Sequence, residues 1–213
     1  MSKIDEIYQA VETGKSKIIT ALVEEAIAEG IEPLRILNEG MVDAMANIGE
    51  KFQRSEIFVP EMLVAAKTMK TGVEILKPML NKSDVSSYGK CIIGTVQGDL
   101  HDIGKNLVAL MIESAGFEII DLGVDVSTEA FVNAVKENPD ARIVGLSCLL
   151  TTTMQALKET AIALKASGNT GFKLIIGGAP ITQEFADQIG ADGFSPDAAG
   201  AAVLAKKLVS QAA

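Results

Sequence analysis

Tryptophan is absent from this chain, histidine occurs once and cysteine only twice. Cys91 and Cys148 both sit inside apolar, strand-like segments, where small buried thiols are common, and neither belongs to a paired metal-ligand spacing. That argues against a disulfide framework and against a zinc site. Basic residues are in deficit, with 19 Lys and Arg facing 28 Asp and Glu for a net charge of −9. Such a field opposes binding to nucleic acid or to an anionic membrane surface. No apolar stretch approaches the roughly 20 residues that cross a bilayer. The start, Met1-Ser2-Lys3-Ile4-Asp5-Glu6, lacks a basic segment followed by an apolar one. A soluble, cytoplasmic protein with no nucleic-acid or membrane partner is expected.

At 213 residues the chain exceeds one typical domain, and the period of its apolar residues changes near position 85. From Ile4 to Leu80 the period is helical: Ile18, Ile19, Leu22, Val23 and Ala26, then Leu34, Leu37, Met41, Met45 and Ile48, then Met62, Ala66, Met69, Val73 and Leu76. Gly14, Gly30 and Gly49 punctuate these runs, and Pro33 and Pro60 suit first-turn positions. Four or five helices packed as a small bundle are expected. The polar stretch from Asn81 to Gly89 suits a linker, which sets domain bounds of 1–85 and 86–213.

Beyond it, short apolar runs alternate with longer amphipathic ones. Cys91 to Val96, Glu118 to Leu122, Ile143 to Ser147 and Leu174 to Ile176 read as buried parallel strands, because they are short, rich in Ile, Leu and Val, and not alternating. Helices are expected over Gly104 to Ala115, Thr128 to Asn138, Thr153 to Ala166, Thr182 to Gln188 and Ala198 to Gln211. This alternation specifies an α/β fold with a doubly wound parallel sheet, whose ligand sits beyond the carboxyl ends of the strands. Three loops lie there: Gly98 to Asn106, Ser147 to Thr153, and Gly177 to Pro180.

The lone histidine stands in the first of them, in Asp99-Leu100-His101-Asp102-Ile103-Gly104. An imidazole at a strand's carboxyl end can ligate a metal through one nitrogen while a carboxylate two residues earlier accepts a proton from the other. Gly98, Gly177 and Gly178 remove side chains where a bulky ligand passes close to the backbone. Ser147, Thr151 and Thr153 offer hydroxyls that both donate and accept.

Asp99-x-His101-x-x-Gly104, followed by Ser147-x-Leu149 and Gly177-Gly178, resembles the signature of cobalamin-binding domains of the methionine synthase type. The segments Gly49-Glu50-Lys51-Phe52 and Phe58-Val59-Pro60-Glu61-Met62-Leu63 resemble the helical cap that methyl-carrying proteins of this kind place over the corrin ring. The resemblance spans nearly the whole chain. It implies an N-terminal helical bundle cap followed by a flavodoxin-like, doubly wound sheet. It further implies a free-standing corrinoid protein of one-carbon metabolism, carrying a methyl group on cobalt in the methylcobalamin form. Such proteins serve methanol, methylamine or aryl methyl ether systems, between a substrate-specific methyltransferase and an acceptor methyltransferase using tetrahydrofolate or coenzyme M, with a reductive activase as a further partner.

By the same resemblance His101 replaces the cofactor's own base on cobalt, and Asp99 and Thr153 complete a hydrogen-bond relay in which the relatives use a serine. Gly104, Ser147, Leu149, Gly177 and Gly178 would line the slot for the nucleotide tail, with Asp102, Ile103 and Thr151 close by. Phe58 and Met62 are cap residues expected near the corrin, and Phe194 is expected either near the cofactor or as a satellite of the core. Asp102 and Lys105 also read as solvated helix-start residues. A cobalamin-dependent mutase subunit shares the sheet motif but lacks this helical segment. A cobalamin-sensing regulator would need a DNA-binding or signalling module, which these 213 residues do not contain. A flavodoxin-like electron carrier would need a hydroxyl- and glycine-rich phosphate cradle in the first loop.

Overall fold

The computed structural model describes residues 2–80 and 88–211; of the expected linker, only Tyr88 and Gly89 fall among them. The chain divides into two compact units, Met1–Ser87 with Ser114–Gly116, and Tyr88–Glu113 with Phe117–Ala213.

The first unit is helical. Helix α1 (Lys3–Glu12) begins on a capping box, in which the Ser2 hydroxyl accepts from the Asp5 N–H while the Asp5 carboxylate accepts from the Ser2 N–H. It is followed by α2 (Ser16–Ala28), and the two helices end at Gly14 and Gly30, whose φ of +66° and +79° suit a residue without a Cβ. A third helical stretch runs on from α3 (Pro33–Arg35) through a π-helical segment, Ile36–Val42, into α4 (Asp43–Gln53). Gly49, expected to break the pattern, lies inside α4 because buried Met45 and Ile48 keep the helical period going past it. Helix α5 (Val59–Leu76) carries Pro60 in its first turn, and the Glu61 carboxylate accepts from the Phe58 N–H at 3.1 Å. Close packing of α5 depends on Gly72, where a Cβ would lie 2.6 Å from Met41 Cε and 3.1 Å from Ile19 Cγ1.

The second unit holds β1 (Lys90–Thr95), α6 (Ile103–Ser114) as far as Glu113, β2 (Glu118–Asp121), α7 (Thr128–Glu137), β3 (Ala141–Ser147), α8 (Met154–Ala166), β4 (Lys173–Gly177), α9 (Gln183–Ile189), β5 (Gly193–Phe194) and α10 (Ala198–Ser210). All strand pairings are parallel, in the order β2-β1-β3-β4-β5. Four strands fall where the apolar runs place them. The fifth was not expected: β5 pairs only Gly193 with Ile175 and Phe194 with Ile176, too short a run to have a period. The core joins Ile92, Val144, Leu146, Leu174 and Ile176 of the sheet to Phe131, Leu157, Ala161 and Ile189 of the helices. In this strand order the connections leaving β1 and β3 diverge, opening a crevice at the carboxyl ends of those two strands. Among the described residues, no helix is long and apolar enough to cross a membrane.

Candidate functional site

Asp99 lies on the loop that leaves β1, with its side chain fully buried. Its two oxygens are used differently. Oδ1 accepts from the His101 N–H at 3.1 Å and from His101 Nδ1 at 2.7 Å. Oδ2 accepts from the N–H groups of Leu149 and Leu150, at 2.7 and 3.2 Å, and from the Thr153 hydroxyl at 2.9 Å. Burial pushes the Asp99 carboxyl up, but the hydrogen bonds from Leu149, His101 and Thr153 outweigh it and hold the group well below the usual carboxylate range. The carboxylate is therefore ionised, and one side chain ties the β1 loop to the β3 loop across the crevice.

An ionised Asp99 settles the tautomer of His101, because an acceptor-only carboxylate at 2.7 Å requires a proton on Nδ1. In the neutral ring Nε2 then keeps its lone pair, on a side chain that is 51% exposed. The backbone beneath is fastened as well, since the buried Thr95 hydroxyl donates to the His101 carbonyl at 2.8 Å. One nitrogen donor is thus presented outward on a fixed ring. Beside it in the chain, Leu100 and Ile103 are 71% and 85% exposed, an unusual display of large apolar side chains.

Thr153 occupies the place expected for a hydroxyl in the relay. It is buried, and its single proton faces both Asp99 Oδ2 and the Leu150 carbonyl, each at 2.9 Å. The carboxylate is the stronger acceptor. The methyl group that distinguishes threonine from serine does not obstruct the bond; it stands 3.5 Å from where a Cβ on Gly98 would be.

The glycines divide into two kinds. At Gly178, with φ +129°, a Cβ would lie 1.7 Å from the Cys148 carbonyl oxygen, so only glycine fits, while the Gly177 carbonyl accepts from the Cys148 N–H at 3.2 Å. At Gly104 a Cβ would meet nothing within 4 Å, and at Gly98 only the Thr153 methyl. These mark open ground beside the loop. Ser147 ends β3, half-buried, and its carbonyl accepts from the Val96 N–H at 3.0 Å; Leu149 is half-exposed and Thr151 exposed. Asp102 is exposed, and its carboxylate accepts from the Asn106 amide at 3.1 Å within the start of α6. Phe194 is half-buried against the core of its own unit. In the helical unit Phe58 is 66% exposed and Met62 fully buried.

Two residues were misread or missed. Lys105, expected to be solvated, is buried, because its ammonium reaches Asp121 Oδ2 at 2.5 Å and Asn106 Oδ1 at 2.6 Å. Asp125, on the loop after β2, had not been singled out, yet its Oδ1 accepts from the Gly98 N–H at 2.7 Å and its N–H donates to the Asp99 carbonyl at 3.0 Å. A fourth loop therefore joins the three that the sequence placed together. The available signal was an Asp two residues after Gly123 at a strand end, where left-handed backbone is common.

A fixed histidine at a parallel sheet's switch point, with open backbone beside it, defines a cofactor-binding α/β domain. The chain belongs to the B12 binding domain family, which matches residues 89–203 and, through its helical part, residues 3–77. Cobalamin, with its cobalt, is the cofactor this family binds. Over nearly its full length the chain is similar to a corrinoid protein of Desulfitobacterium hafniense, 39% identical over 99% of both chains. It is 41% identical to dimethylamine corrinoid protein 1 of Methanosarcina acetivorans over 97% of both. Among solved structures, a cobalamin-binding protein from Desulfitobacterium hafniense matches with a TM-score of 0.81 and 33% identity, covering 96% of this chain and 98% of that one. The methanol:cobalamin methyltransferase complex of Methanosarcina barkeri matches with a TM-score of 0.86 and 27% identity, covering 98% of this chain and 80% of that one.

The residues present fit such a cofactor. No group of three or more His, Cys, Asp or Glu side chains among the described residues is arranged to hold a metal ion. A metal on His101 Nε2 must arrive with its other ligands, as cobalt held in a corrin ring does. The exposed apolar side chains of Leu100 and Ile103 suit a large apolar macrocycle, and the open positions at Gly98 and Gly104 suit a tail running past the backbone.

Proposed function

We propose that this protein is a cytoplasmic methyl carrier: it holds a corrinoid and shuttles between a substrate-specific methyltransferase, which loads a methyl group on cobalt, and an acceptor methyltransferase. The acceptor reading includes tetrahydrofolate or coenzyme M, and a reductive activase is a further partner. What carries this reading is the 2.7 Å hydrogen bond from His101 Nδ1 to Asp99, which frees Nε2 for the metal. The whole-length likeness to a dimethylamine corrinoid protein and to the methanol:cobalamin methyltransferase complex supports the methyl-transfer setting.

Bound cobalamin supplies the methyl-accepting and methyl-donating chemistry at cobalt; the chain supplies orientation, ligand control and exclusion of side reactions. Asp99 holds the Nδ1 proton and thereby raises the basicity of Nε2 toward a metal. Thr153 and the Leu149 N–H hold Asp99 in turn, so the carboxylate cannot turn away from the ring. Off a metal, Nε2 would be open to a proton, and the ionised Asp99 carboxylate would stand against the ring. Gly98, Gly104, Ser147, Leu149, Thr151, Gly177 and Gly178 are assigned to the tail slot, with Asp102 and Ile103 at its mouth. Phe194 is assigned to the cofactor's neighbourhood.

The test is to load the full chain and its His101→Ala variant with methylcobalamin and follow the visible spectrum and demethylation by a partner methyltransferase. The variant is expected to retain cobalamin, alter its spectrum and slow demethylation. An unchanged spectrum takes His101 off the cobalt.

A further inference from the structure

The loop between β2 and α7 contains none of the motif residues, yet it grips the backbone on both sides of Asp99. The Gly98 N–H donates to Asp125 Oδ1 at 2.7 Å across 27 positions of chain, and the Asp125 N–H donates to the Asp99 carbonyl at 3.0 Å. Asp125 makes both bonds from a φ of +53°, a left-handed conformation uncommon outside glycine. An aspartate that served only its own turn would bond to a residue two or three positions on; this one bonds to another loop.

The rest of the loop is fastened so that the grip has something to pull against. Asp121 Oδ1 accepts from the Gly123 N–H at 2.8 Å, and its Oδ2 holds the buried Lys105 ammonium at 2.5 Å. The Thr95 N–H donates to the Gly123 carbonyl, and the Val126 N–H to the Thr95 carbonyl, each at 3.0 Å. Lys105 lies in the first turn of α6 and Gly98 directly before Asp99. Both ends of the segment that carries His101 are thus tied to the β2 loop.

We propose that Asp125 is a positioning residue for His101. By fixing the Gln97–Gly98 and Asp99–Leu100 peptide planes, on either side of Asp99, it aims Oδ1 at Nδ1 of the ring, and so selects the tautomer that leaves Nε2 free for a metal. The proposal rests on the reading of His101 as the metal's protein ligand only for its consequence, because the ring geometry itself is open to measurement without cofactor.

The chain has a single histidine, so its ring nitrogens give one unambiguous pair of nitrogen-15 resonances. The measurement is the tautomer ratio in the cofactor-free full chain at about pH 9, above the ordinary histidine range. Asp125→Gly removes the carboxylate while easing the left-handed backbone, and Asp125→Asn keeps an acceptor and tolerates that backbone. The parent chain is expected almost wholly in the Nδ1–H form, the glycine variant with that ratio reduced about fivefold, and the asparagine variant close to the parent. With cobalamin bound, the glycine variant should give a mixed spectrum in place of the parent's single form. An unchanged ring in Asp125→Gly, or an asparagine variant as perturbed as the glycine one, overturns the proposal. Were His101→Ala to leave the cobalamin spectrum untouched, the ligand reading would fall while the tautomer result stood.

Discussion

The Thr153 hydroxyl and the Asp99 carboxylate lie 2.9 Å apart across 54 positions of chain, one on the loop after β3 and the other on the loop after β1. The bond crosses the crevice where the sheet's winding reverses, and it makes the buried carboxylate a shared property of two loops. Removing the hydroxyl should therefore be felt at the histidine. Thr153→Ser is expected to behave as the parent chain, and Thr153→Val to lose about 1.5 to 3 kcal/mol of stability, the cost of one bond to a charged acceptor. Urea denaturation of the three proteins checks this; equal stability of the valine variant refutes it.

Acid should act on the fold through Asp99. Its carboxyl is held well below the usual range in the folded chain, whereas the unfolded chain titrates it near ~3.9. Between those values the unfolded state binds more protons, so stability rises with pH: the contribution is complete above about pH 5 and is lost as pH falls further. Asp99→Asn should be the less stable protein at neutral pH and show a flatter decline below about pH 4. Parallel slopes for the two proteins would remove Asp99 as the source.

Two glycine substitutions separate folding from binding. Gly178→Ala drives a Cβ to 1.7 Å from the Cys148 carbonyl in a left-handed backbone and should cost about 3 kcal/mol or more. Gly104→Ala meets open space near the start of a helix, so stability should stay within about 0.5 kcal/mol of the parent. Its cobalamin retention should nevertheless fall, because the new methyl group enters the ground assigned to the tail. Thermal melts and cobalamin titration distinguish the two, and undiminished retention in Gly104→Ala would move the tail elsewhere.

Both thiols should be inert in the folded chain. Burial pushes Cys91 up to about 12, and burial with the Asp99 charge pushes Cys148 up to about 11 despite a bond from Thr153. Alkylation at about pH 8 is expected to proceed only on unfolding, which mass spectrometry reads directly.

Much of this was legible in the sequence because it is written in periods and short spacings. The helical repeat from Ile4 to Leu76 and the unbroken runs around Ile92, Val144 and Ile175 announce their elements, and Asp99-x-His101 announces the site. What escaped has no period. A two-residue strand at Gly193–Phe194 exists only by pairing with β4. Lys105 is a surface residue by type and is buried only because Asp121 arrives from 16 positions away. Asp125 acts through one carboxylate oxygen and one N–H, neither of which leaves a pattern in its neighbours.

The central claim is a single bond from His101 Nε2 to cobalt. Electron paramagnetic resonance of the Co(II) form tests it most directly, using protein uniformly labelled with nitrogen-15 and unlabelled cobalamin. The lines split by the axial nitrogen should change from triplets in the unlabelled protein to doublets in the labelled one, and should lose that change in His101→Ala. Triplets that persist on labelling would mean that the cofactor's own base still holds the metal.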